Sequence, residues 1–177
     1  MKFASYTLSP EIKANLEQLG FKRPTDIQFK AIPNILNGED VLAVAQTGTG
    51  KTGAFAIPII HKVQENKSFK KELGIQALIM VPTRELALQI TKVFHDLGRN
   101  TKVRTISVFG GVDQDGQKDS LDRGIDILVA TPGRMFDLLN QKSIDLRNLK
   151  TLILDEADQM LALGFYKDIK DVLHNIP

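Results

Sequence analysis

Ala45-Gln46-Thr47-Gly48-Thr49-Gly50-Lys51-Thr52 stands between a short apolar run, Val41–Val44, and an apolar stretch of helical character that opens near Gly53. A strand, a glycine-containing turn and a helix in that order form the setting of a phosphate-binding loop. Gly48 and Gly50 let the backbone curl until several N–H groups converge on phosphate oxygens. The helix that follows adds the positive end of its dipole. Lys51 supplies a mobile cation for the β- and γ-phosphates. Thr52 supplies a hydroxyl for a magnesium ion. The usual pattern opens with glycine, whereas this one opens with Ala45. The loop specifies a nucleoside triphosphate and leaves its use open.

Outward from this loop, short apolar runs alternate with longer helical patterns. The strand candidates are Val41–Val44, Gln76–Val81, Val103–Val108, Asp126–Ala130 and Thr151–Leu154. They are nearly continuous in hydrophobicity, as strands covered on both faces are. Helices are expected near Gly53–Gln64, Arg84–Gly98, Asp113–Arg123 and Arg134–Asn140. The alternation predicts βαβ units and a doubly wound, mainly parallel sheet with helices on both faces, which binds ligands at the carboxyl ends of its strands. Before the first strand, Ser9-Pro10 reads as a helix start with its stop at Gly20, and a second helix runs from about Thr25 to Asn37, stopped by Gly38. The chain therefore divides into a helical segment, 1–38, and a phosphate-loop core, 39–177. The lysine-rich stretch Glu65–Gly74 reads as a solvated loop.

The 177 residues fit one domain, 42% hydrophobic and 25% charged. Cysteine is absent, so thiolate metal sites and disulfides are excluded. No signal-peptide core follows Met1, and no run approaches a membrane span. These features suit the cytoplasm. A net charge of +2 allows a nucleic-acid surface without requiring one.

Thr151–Leu154 ends in Asp155-Glu156-Ala157-Asp158, three carboxylates within four residues. Crowded like charges raise one another's pKa and cost stability, and a divalent cation removes that objection. Asp155 can hold Mg²⁺ directly or through water. Glu156 can orient and polarise the water that attacks the γ-phosphate. Asp158 also suits the start of a following helix. Phe55, Phe94, Phe109 and Phe136 read as core residues, as do Met160, Leu161, Leu163 and Phe165. His61, His95 and His174 lack ligand spacing.

With these residues in place, the sequence resembles the DEAD-box RNA helicases of superfamily two, in a form similar to bacterial members. Asp155–Asp158 matches the motif that names the family, and Ala45–Thr52 matches its phosphate loop, where alanine at the first position is normal. Gly20-Phe21-Lys22-Arg23-Pro24-Thr25-Asp26-Ile27-Gln28 looks like the family's Q motif, with Phe3 as its upstream aromatic. The resemblance implies that Gln28 hydrogen-bonds adenine and that Phe21 stacks on it. Read without the resemblance, Gln28 is a polar residue on an amphipathic helix. Pro82-Thr83-Arg84-Glu85-Leu86-Ala87, Gly110-Gly111 and Thr131-Pro132-Gly133-Arg134 match RNA-contacting elements, each just past a strand end. Backbone N–H groups, hydroxyls and arginine suit a phosphodiester backbone and read no base edges, so sequence-independent RNA binding is implied.

The resemblance further implies a RecA-like domain using ATP and Mg²⁺, with Lys51, Asp155 and Glu156 catalytic. In the family a second RecA-like domain carries an arginine finger and the rest of the RNA groove, so the chain is expected to need that partner domain and to be monomeric. A Ser-Ala-Thr motif is expected just beyond the segment that ends at Pro177. Two other readings share these residues: an ATP-gated RNA clamp that nucleates an assembly, and a DNA-directed helicase of the same superfamily.

Overall fold

The computed structural model describes residues 2–69, 74–111 and 114–177. It divides into two compact units, Met1–Lys70 with Lys92–Val103, and Lys71–Thr91 with Arg104–Pro177.

The first unit is helical. A 3-10 turn, Phe3–Ser5, precedes α1 (Pro10–Gln18), α2 (Asp26–Leu36) and α3 (Lys51–Phe69), and the second half of α4 (Arg84–Leu97) belongs with them. Ser9 is extended and Pro10 opens α1, where its missing N–H is no loss. Ile12 and Leu16, one turn apart, are fully buried. Between them Asn15 sends its side-chain amide to the carbonyls of Leu97 and Arg99, at 2.8 and 2.7 Å. These are acceptors that the end of α4 leaves unpaired. Helix α2 starts with a capping box, in which Gln28 Oε1 accepts the Thr25 backbone N–H at 3.0 Å. It packs on α3, whose residues 54–60 are all buried. Phe55 meets Phe94 there, ring centres 6.2 Å apart, so both belong to the core as expected. His61 is also buried. Its Nδ1 accepts the Ser9 N–H, and burial pushes its pKa down against the opposing charge of Glu65.

Two expectations change here. Helix α3 continues through the stretch read as a loop as far as Phe69, and residues 70–73 lie outside the described residues. Glutamate and lysine are good helix formers, and this charged end is tied down. Gln64 Oε1 accepts the Lys102 N–H, and Lys67 Nζ donates to the Lys102 carbonyl. The second change concerns Val41–Val44, which form no strand. Leu42 and Val44 are 94% and 90% exposed. An apolar run becomes a strand only by entering a ladder, and the run itself does not encode its neighbour.

The second unit holds the sheet. Strands β1 (Ala77–Met80), β2 (Thr105–Val108), β3 (Ile127–Ala130) and β4 (Thr151–Leu154) lie in the order β2-β3-β1-β4, all parallel. Every residue of β1 and β3 is buried, as expected of the central strands of an α/β sheet. Edge strand β4 is only partly buried. The register is level: Met80 pairs with Ala130 and Leu154, and Val108 pairs with Ala130. All four strands therefore end together, and the segments after them leave from one edge.

Helices α5 (Gln114–Asp122), α6 (Pro132–Asn140), α7 (Ala157–Ala162) and α8 (Tyr166–Leu173) complete this unit. The start expected for α5 at Asp113 lies outside the described residues. Met80, Leu128, Met135, Leu138, Met160 and Val172 centre its core. Of the residues assigned to packing near α7, Met160 is buried and Phe165 packs against that core. Leu161 and Leu163 are 53% and 54% exposed. Helix α7 spans only six residues, and one short helix turns a single face inward, which Met160 takes.

Candidate functional site

In the first unit the phosphate loop runs from Ala45 into α3, which begins at Lys51. Gly48 and Gly50 are left-handed, with φ of 81° and 91°. A curl of this kind turns consecutive N–H groups to one side, the geometry of an anion nest. Thr49 Oγ1 closes the turn on the Gln46 carbonyl at 2.7 Å. The Gly50 carbonyl accepts the Ala54 N–H at 3.1 Å, the first bond of the helix. Lys51 and Thr52, the first two helical residues, are half-buried.

Gln28 braces this loop. It is 2% exposed, and its Nε2 donates to the Gly50 carbonyl at 3.1 Å while its Oε1 holds Thr25. One amide hydrogen and one lone pair are left for another partner. A Cβ on Gly50 would stand 2.7 Å from Gln28 Nε2 and 2.9 Å from Thr25 Oγ1, and one on Gly53 would stand 2.8 Å from the same Nε2. Gly50→Ala therefore meets both a left-handed φ and a collision with a fixed amide. The expected result is a loss of about 1–3 kcal/mol in thermal stability together with weakened nucleotide binding. A melting temperature equal to wild type would show that the brace is absent.

Phe21 is half-buried and meets the buried Phe3 edge-on, ring centres 6.1 Å apart. Both line a cavity of about 530 Å³ with Leu16 and the basic residues Lys13, Lys22 and Arg23. Phe3 is 4% exposed and also packs on Tyr6, so its place is behind Phe21. Gln28 does not line this cavity and turns instead to the phosphate loop. Thr25 and Gly53 take part in the brace although neither stood out as a site residue in the sequence. The Thr25-x-x-Gln28 capping spacing was the available signal.

In the second unit the edge where the four strands end carries the remaining motifs. After β1, Pro82 is buried, and Thr83 Oγ1 caps α4 by accepting the Leu86 N–H at 3.2 Å. Arg84 is exposed, with its guanidinium 5.1 Å from the centre of the Phe109 ring, an attractive cation–π distance. After β2, Gly110 and Gly111 are exposed, Gly111 with φ of 81°, and among the described residues no other atom crowds the space beside either. Val112 lies outside the described residues. After β3, Thr131 is the N-cap of α6 but makes no side-chain capping bond, and Pro132 takes the first helical position. Gly133 opens onto free space.

Arg134, expected among the RNA-binding residues, has its side chain turned inward. It is 4% exposed, its Nε donates to Gln117 Oε1 at 3.2 Å, and Nη1 and Nη2 are buried with no hydrogen-bond partner among the described residues. The sequence placed it after the strand correctly, but only the packing of α6 decided that the side chain points inward.

After β4, Asp155 continues the ladder, its N–H donating to the Met80 carbonyl at 3.0 Å. Glu156 is left-handed, φ 54° and ψ 45°, at the N-cap of α7. Its carbonyl accepts the Met160 N–H at 3.0 Å. A non-glycine residue in this conformation is strained, and such strain collects at functional sites. Asp158 lies in the first turn of α7, where it favours the helix dipole. Among the described residues no cluster of three or more histidine, cysteine, aspartate or glutamate side chains forms a metal cage, and no helix is long and apolar enough to cross a membrane.

Comparison with known proteins bears on the family and the fold. Residues 25–177 match the profile of the DEAD/DEAH box helicases. The chain is 43% identical over 176 residues to the ATP-dependent RNA helicase CshA of Listeria monocytogenes, and 39% identical over 175 residues to the DEAD-box ATP-dependent RNA helicase CshA of Bacillus cereus. Each alignment covers 99% of this chain but only 33% and 32% of the relative, so the chain spans about a third of their length. The crystal structure of a DEAD box protein from the hyperthermophile Methanococcus jannaschii superposes with a TM-score of 0.92 at 42% identity. It covers all of this chain and 47% of that one.

Proposed function

Because the chain belongs to the DEAD/DEAH box helicase family, we propose that it is the ATP-binding, RecA-like part of an ATP-dependent RNA helicase. Its substrates are short RNA duplexes, gripped through their sugar-phosphate backbone. The observation that carries this reading is the curled loop at Gly48 and Gly50, which opens α3 with Lys51 and is braced from behind by Gln28. The loop residues Ala45 to Thr52 cradle the phosphates, with Lys51 as their cation. Phe21, backed by Phe3, and the remaining valences of Gln28 receive the base.

The donor set suits Mg²⁺. Thr52 and Asp155 each carry an oxygen of the kind that would hold such an ion. When bound, the ion neutralises charge on the phosphate oxygens. Glu156 accepts a proton from the attacking water and orients it. Arg84, the N–H groups of Gly110 and Gly111, Thr131 and the N-terminal turn of α6 from Pro132 to Gly133 hold the RNA backbone, with Pro82, Thr83 and Arg134 fixing their positions. A second RecA-like domain supplies an arginine finger, which contributes about 10³–10⁵ in rate in phosphoryl transfer.

The test compares ATP hydrolysis by the full-length protein with RNA and with DNA of the same sequence, and by the 177-residue chain alone. RNA is expected to stimulate and DNA not, with the chain alone slower by about 10³ or more. Equal stimulation by DNA would overturn the RNA assignment, and full turnover by the isolated chain would overturn the need for a second domain.

A further inference from the structure

Gln117 stands on α5, outside every motif that the sequence singled out. Its side chain is half-buried, and both ends of its amide are engaged. Nε2 donates to the Phe109 carbonyl at 3.1 Å, and Oε1 accepts from Arg134 Nε at 3.2 Å. Phe109 directly precedes the Gly110-Gly111 turn, and Arg134 lies in the first turn of α6. The same Phe109 carries the Arg84 guanidinium on its ring. One amide thus ties the segment after β2 to the segment after β3, and through Phe109 to the one after β1.

The Phe109–Gln117–Arg134 bridge has two consequences. The Gly110-Gly111 turn has one left-handed residue and no side chains to pack, so nothing in the turn itself fixes the direction of its N–H groups. A hydrogen bond to the carbonyl immediately before it does. Arg134 is a buried cation whose two terminal nitrogens have no partner among the described residues. Its side-chain hydrogen bond among the described residues is the one from Nε to Gln117. Only a side chain that both donates and accepts serves both ends, and glutamine does so at neutral charge.

From this bridge we infer that Gln117 is a positioning residue for RNA, coupling the glycine turn to the α6 N-terminus so that both present their N–H groups to one phosphodiester backbone. This rests on the RNA-binding reading above.

The test titrates the ¹⁵N-labelled chain with single-stranded oligouridylate, following the amides of Gly110, Gly111 and Gly133. It compares wild type, Gln117→Met and the control Ser120→Ala on the same helix. Methionine keeps the length, the neutral charge and the helix propensity of glutamine at a half-exposed site, so the fold is retained, and a dispersed spectrum verifies it. Gln117→Met is expected to bind RNA about fivefold or more weakly, to shift the Gly110 and Gly111 amides before RNA is added, and to bind ATP as wild type does. Ser120→Ala is expected to match wild type throughout. RNA affinity within twofold of wild type in Gln117→Met overturns the positioning role while leaving the RNA site standing. If the three glycine amides of the wild-type chain ignore RNA, the RNA reading itself fails, and this inference with it.

Discussion

Replacing Glu156 by glutamine in the full-length protein is expected to lower RNA-stimulated ATP turnover by roughly 10²–10⁴ while leaving ATP affinity within about twofold. That range is what a positioned general base contributes. Glutamine keeps the shape of the side chain and can still hydrogen-bond a water, but it cannot take the proton. The backbone adds a second, independent expectation. Glu156 is left-handed, with φ of 54°, a conformation that costs a residue with a Cβ about 1–2 kcal/mol. Glutamine inherits that cost and should leave the melting temperature unchanged. Glycine has no Cβ to strain, so Glu156→Gly should be as stable as Glu156→Ala or more so by up to about 1 kcal/mol, part of the relief being offset by its freer unfolded chain. It should be equally inactive. Phosphate release, nucleotide binding and thermal denaturation of the variants separate these effects. Normal turnover in the glutamine variant removes Glu156 from its assigned role. A glycine variant clearly less stable than Glu156→Ala shows that the conformation is not strained.

Lys51→Ala in the 177-residue chain is expected to weaken ATP binding by roughly 10- to 100-fold, measured by calorimetry. A hydrogen bond to a charged group is worth about 1.5–3 kcal/mol, and each 1.4 kcal/mol is tenfold in affinity. Lys51 is the first residue of α3, so alanine there neither breaks the helix nor leaves a large cavity. The contrast with Gly50→Ala is informative. That neighbour should lose stability as well as affinity, because its added Cβ pushes on Gln28. Unchanged ATP affinity in Lys51→Ala would detach the lysine from the phosphates and with it the reading of the loop.

The exposed edges of the motifs were easier to read than their interiors. Gly110, Gly111 and Thr131 could be placed at strand ends because β-branched runs stop where glycine and proline begin, and the level register puts those ends on one edge. The inward turn of Arg134 could not be read, because arginine is nearly always exposed and nothing nearby in sequence shows that Gln117, 17 residues away, waits for it. Gln28 is an intermediate case. Its capping role follows from its spacing to Thr25, while its hold on Gly50, 22 residues on, depends on how α2 lies against α3. The charged end of α3 and the exposed run at Val41–Val44 mark the opposite errors of pattern reading. Polar composition hid a helix that distant hydrogen bonds secure, and apolar composition suggested a strand where none forms.

The sequence by itself determined the parallel α/β class, the curled loop at Gly48 and Gly50, the helix start at Pro10 and the motif residues that end the four strands. Each of these follows from local chemistry: backbone freedom, ring constraint and hydrophobic period act within a few residues. Only the tertiary structure decided the strand order β2-β3-β1-β4, the burial of Arg134, the brace from Gln28 and the bridge through Gln117. Those depend on partners far apart in the chain, and a hydrogen bond or a ladder forms only where folding has brought both of its ends together.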